Sequence, residues 1–109
     1  MHKAIYEKLK DVARKESTVY YSEIAPLAGL DMSNPADRNR IAEILGDIST
    51  YEHDNHRPML SAVVILQDSN KPGKGFFTLA KELGLYAGSD DDVFFSSELT
   101  KVHAAWQGE

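Results

Sequence analysis

One stretch limits the folds open to this chain more than any other: Met59-Leu-Ser-Ala-Val-Val-Ile-Leu66, a nearly uninterrupted apolar run. Its Val63-Val64-Ile65 centre is β-branched, which favours a strand buried on at least one face. After Gln67 come eight residues, Asp68-Ser-Asn-Lys-Pro-Gly-Lys-Gly75, before Phe76-Phe77. That composition is typical of a strand-to-strand turn, with Lys71 and Lys74 at its tip. The expectation is a two-stranded ribbon whose basic tip spans about residues 68–75.

The flanking segments are largely helical in pattern. Ile5, Leu9 and Val12 recur at helical spacing among charged residues, giving an amphipathic first helix over residues 1–16. Ser17-Thr-Val-Tyr-Tyr21, β-branched and aromatic, reads as a short strand. A short helix follows, capped by Ser22, carrying Ile24 and Leu27 and ended by Gly29. In Asn34-Pro-Ala-Asp37 an N-cap, a proline at the first helical position and an early acid all favour one helix start. Ile41, Ile44, Leu45 and Ile48 then mark a single buried face, so a helix is predicted over about residues 35–50, with a frayed end and a loop over residues 51–57. Leu79, Leu83 and Gly84 suggest a short helix after the ribbon. Phe95, Leu99, Val102 and Trp106 form the stripe of a C-terminal helix begun by Asp90-Asp-Asp92.

With 109 residues the chain is expected to be one domain, 1–109, with a single core. The fold class expected is α+β, mostly helical. The element order suggests a winged helix-turn-helix with a two-stranded wing and an extra C-terminal helix, which closes the core or forms a homodimer. The absence of cysteine excludes disulfides and thiolate chemistry. No stretch approaches a membrane span, and the opening residues lack the apolar core of a signal peptide, so a cytoplasmic location is expected. A net charge of −5 means that any attraction for nucleic acid must be local.

The order also carries a resemblance. Val19-Tyr-Tyr-Ser-Glu-Ile-Ala25 resembles the opening of the helix-turn-helix in the DNA-binding half of alkylguanine-DNA alkyltransferases and their cysteine-lacking alkyltransferase-like relatives. Arg40-Ile-Ala-Glu-Ile-Leu45 lies where that family has its recognition helix, and Arg57-Pro-Met-Leu-Ser-Ala-Val-Val64 lies where it has its Pro-Cys-His-Arg-Val-Val motif. Met59 follows Pro58 where the acceptor cysteine would stand, so the resemblance implies DNA binding and no alkyl transfer. The middle of the chain is also similar to small bacterial proteins associated with mobile elements and restriction-type defence.

These readings nominate Arg38, Asn39, Arg40, Arg57, Lys71 and Lys74 as a double-stranded DNA-binding face, combining a recognition helix with a basic wing. Solvated side chains, or helical ion pairs with Asp37, Glu43 and Asp47, are the plain alternative. No enzymatic activity is expected. The serines lack a Gly-x-Ser-x-Gly context, phosphate-loop and dinucleotide fingerprints are absent, and no cofactor is implied. Glu52, His53, Asp54 and His56 have metal-ligand chemistry but sit adjacent in a polar segment, so no metal site is assigned. The competing function is a protein-interaction module, an adaptor or inhibitor with an acidic surface.

Overall fold

The computed structural model describes residues 1–108. Helix α1 (Lys3–Arg14) is followed by strand β1 (Val19–Tyr20) and helix α2 (Tyr21–Ile24), which tightens into a 3₁₀ turn (Ala25–Ala28). Then come α3 (Pro35–Asp54), a second 3₁₀ turn (Leu60–Val63), strand β2 (Val64–Ile65), α4 (Lys74–Glu82) and α5 (Asp91–Trp106). The protein is α+β and mostly helical. Its sheet is two residue pairs, Val19 beside Val64 and Tyr20 beside Ile65, running parallel.

The local signals account for the helix boundaries. Asn34 Oδ1 accepts hydrogen bonds from the N–H groups of Ala36 (2.9 Å) and Asp37 (3.4 Å), and Pro35 opens α3 where its missing N–H costs nothing. Asp90 caps α5 by accepting from Val93 N–H at 3.1 Å. Gly29 ends the first 3₁₀ turn in the left-handed region, at φ 70°. On α1, Ile5, Leu9, Val12 and Ala13 are buried. No helix among the described residues is long and apolar enough to cross a membrane.

Three expectations need correction. First, the run at 59–66 is a strand only at Val64–Ile65, because its first half is enclosed by α1, α3 and α5 and no neighbouring strand accompanies it. Its backbone donors are met by two side chains and by its own turn instead. Met59 N–H reaches Glu98 Oε2 at 2.9 Å, Ser61 N–H reaches Ser49 Oγ at 3.1 Å, and Ala62 N–H closes on Met59 O at 3.0 Å. With its donors so satisfied, the segment turns tightly.

Second, Phe76 and Phe77 are not a strand, and the described residues contain no antiparallel ribbon. Gly73 is the N-cap of α4, and Phe76, Phe77 and Ala80 bury its inner face at helical spacing, joined by half-buried Leu79 and Leu83. The expected wing is a loop over residues 66–73. It is pinched by Leu66 N–H to Lys71 O (2.8 Å) and Asn70 N–H to Leu66 O (2.8 Å), with Asn70 in the left-handed region.

Third, α3 runs a full turn beyond residue 50. Glu52 is fully buried and paired, so the turn that looked solvated belongs to the core.

Candidate nucleic-acid interface

The first turns of α3 and the start of α4 face each other across a cavity of about 330 Å³. Its walls are apolar, with Ile41 and Leu45 from α3, Leu66 from the loop, and Phe76 and Leu79 from α4. Tyr21 closes one side. Its phenol oxygen accepts the Gly73 N–H at 2.8 Å, fixing the end of the 66–73 loop to α2, and burial pushes its pKa up. A Cβ on Gly73 would stand 3.3 Å from that oxygen, so the close approach suits glycine.

Three of the six nominated residues border this cavity: Arg38, Asn39 and Lys74. Arg38 donates from one terminal nitrogen to Met32 O at 3.1 Å, which steadies the side chain and leaves most of its N–H groups unused. Neither Arg38 nor Lys74 has a carboxylate within ion-pair distance among the described residues, unlike the other nominated bases.

Those bases are placed elsewhere. Two positions along a helix are about 200° apart around its axis, so Arg40 points away from Arg38, and it pairs with Glu43 at 3.1 Å. Lys71 is tied to Asp92 at the start of α5, and that hydrogen-bonded carboxylate holds its ammonium pKa above the usual range. Arg57 grips buried Glu52 with two nitrogens, Nε at 3.0 Å and a terminal nitrogen at 2.7 Å. Those hydrogen bonds raise its pKa further. Its guanidinium also lies 5.6 Å from the Trp106 ring and 5.8 Å from that of Tyr51. Arg57 thus ties α3 to α5 and does not line the cavity.

Tyr6 completes the Glu52 cluster by donating its hydroxyl to Oε2 at 3.0 Å. Burial, then the Glu52 hydrogen bond and charge, push the Tyr6 pKa from 10.0 up to about 12. Tyr86 is likewise pushed to about 12 by burial and Asp91. A raised phenol pKa means the folded state holds its proton while the unfolded chain has lost it. The associated stability is therefore complete below about pH 10 and is lost as pH rises towards 12. Urea midpoints measured from pH 9 to 12 should fall steeply across that window, and Tyr6→Phe should flatten the fall. An unchanged slope in the variant would show that Tyr6 is not held neutral.

The acids and histidines of residues 52–56 do not converge. Glu52 is spent on Arg57 and Tyr6, and no group of three or more His, Asp or Glu suited to a metal ion occurs among the described residues. Sequence reasoning missed the cavity itself and the parts of Tyr21 and Ser61 in it. The one local signal was the pairing of Tyr20 with Tyr21, since adjacent residues at a strand end face different ways. Comparison of the chain with family models, with curated proteins and with solved structures gives no match.

Proposed function

We propose that this protein is a non-enzymatic DNA-binding protein that holds the duplex through Arg38, Asn39 and Lys74 and takes an unstacked base into the cavity they border. The carrying observation is that the two nominated cations without carboxylate partners among the described residues, distant in sequence, both border one largely apolar cavity. Phosphate contacts come from such cations, and a base leaving the stack needs an apolar, ring-sized space beside them. A volume of about 330 Å³ is at the lower end of small-molecule pockets and suits one aromatic ring system. In this reading α2 and its 3₁₀ turn lead into α3 as a helix-turn-helix, and the 66–73 loop stands in for the wing. Met59, at the acceptor position, is completely buried and offers no nucleophile.

The net charge of −5 makes binding depend on this patch and not on the general field. Fluorescence anisotropy against duplex and single-stranded DNA over a range of salt tests it. Two lost phosphate contacts should lower the salt slope by about two and weaken binding roughly 10- to 100-fold at low salt in Arg38→Ala/Lys74→Ala. Arg40→Ala should bind as the parent does. A 2-aminopurine in the duplex should brighten on binding, since leaving the stack relieves its quenching. No binding of the parent at about 50 mM salt, or an unchanged slope in the double variant, overturns the DNA reading.

A further inference from the structure

The cavity's lining is largely apolar; its polar side chains are Arg38, Asn39 and Lys74, the Tyr21 phenol already bonded to the Gly73 N–H, and Ser61. Ser61, on the 3₁₀ turn of residues 60–63, lines it and is 95% buried, at 5% exposure. Its hydroxyl lies 2.6 Å from that of Ser49, which comes from α3 and has no solvent exposure at all. Two hydroxyls at that distance share one proton between their oxygens, and either could supply it.

The surroundings decide which. Ser49 Oγ already accepts the Ser61 N–H at 3.1 Å. Among the described residues its own proton has one acceptor, Ser61 Oγ. Were Ser61 the donor, the Ser49 proton would be sealed in the core with nothing to bond, the arrangement that buried hydroxyls avoid. Ser49 therefore donates, and Ser61 Oγ accepts. Among the described residues the Ser61 proton then has no protein acceptor, on a residue that borders the cavity.

We propose that this Ser61 hydroxyl is the specificity determinant of the cavity, donating a hydrogen bond to a lone-pair acceptor on the inner edge of the ring that enters. The occupant is a heteroaromatic ring carrying a ring nitrogen or carbonyl oxygen at that edge, and a hydrocarbon ring of the same shape is disfavoured. This inference rests on the base-binding reading above. It adds that shape alone does not select the occupant.

The test uses duplexes with one unpaired position opposite an abasic site, so that base pairing does not differ between probes. That position holds thymine or its 2,4-difluorotoluene isostere in one pair, and adenine or its indole isostere in another. The parent protein should bind the natural base roughly three- to tenfold more tightly than its isostere in at least one pair, the effect of one net hydrogen bond. Ser61→Ala should bind both members equally, through loss of the natural-base advantage.

Ser49→Ala breaks the same Ser49–Ser61 bond but keeps the hydroxyl at the cavity, so it should keep the preference. If Ser61→Ala does not fold, Ser61→Cys has a similar shape and only a weak donor, and should show the same loss. Equal binding of both members by the parent, a preference that survives in Ser61→Ala or Ser61→Cys, or its loss in Ser49→Ala overturns the inference while leaving DNA binding in place. Failure of the parent to bind any of the four duplexes overturns both.

Discussion

Replacing Arg57 by alanine should lower the melting temperature by about 12 °C. Glu52 has no solvent exposure, and its two oxygens are met by the Arg57 guanidinium and the Tyr6 hydroxyl. Removing one partner of a buried pair strands the other charge, at a cost of roughly 3–5 kcal/mol. The side chain of Arg57 is 34% exposed, so water can reach part of the vacated space and the lower end, about 3 kcal/mol, applies. For a domain of this size each kcal/mol is worth about 4 °C. The double substitution Glu52→Met/Arg57→Met should recover much of the loss, because no charge is then left buried. Calorimetry of the three proteins checks this, and Arg57→Ala within 3 °C of the parent would show that the pair is not the clamp described. At temperatures where Arg57→Ala is folded, its DNA salt slope should equal the parent's, which separates this arginine from Arg38.

Leu60→Ala should cost about 2–5 kcal/mol, or roughly 8–20 °C. Leu60 is completely buried in the 3₁₀ turn on which α1, α3 and α5 all pack, so the space left by its side chain cannot be closed by moving one neighbour. Leu85→Ala is the control. That residue is 40% exposed, and its loss should stay within about 0.5 kcal/mol. Chemical denaturation of both variants measures the difference. Similar losses at the two positions would mean that residues 60–63 are not the centre of the core.

What the sequence disclosed and what it hid divides along how far each cause lies from its effect. The start of α3 was readable because Asn34, Pro35 and Asp37 act on the backbone beside them. The faces of α1 and α3 were readable because a helix repeats its inward positions locally. The 60–63 turn was not. What satisfies its backbone is Glu98, 39 positions from Met59, and Ser49, 12 positions from Ser61. An apolar run alone does not separate a strand from a fully enclosed turn. Phe76 and Phe77 were drawn towards a strand by their adjacency, although Phe76, Leu79, Ala80 and Leu83 already carried the helical repeat.

The nominated site divided in the same way. Six basic or amide residues were visible, but which of them have a partner depends on the acids that the fold sets beside them. Distant Asp92 takes Lys71, Glu52 five positions back takes Arg57 and Glu43 on the same helix takes Arg40, leaving Arg38 and Lys74 beside the cavity. The cavity was hidden entirely, since no local pattern announces a space between the start of α3 and the start of α4.

The two-residue sheet has a consequence for the order of assembly. Val19 and Val64 lie 45 positions apart, and bringing them together closes a loop whose length-dependent entropy is about 3.4 kcal/mol before any constant term. Two ladder pairs return too little to offset that on their own, at roughly 1 kcal/mol per hydrogen bond. The sheet is therefore no place for the chain to begin folding. Its hydrogen bonds are expected to close after α1 and α3 have packed around residues 60–63. The pairing that gives the protein its β content is then a late latch, set by helices already in place.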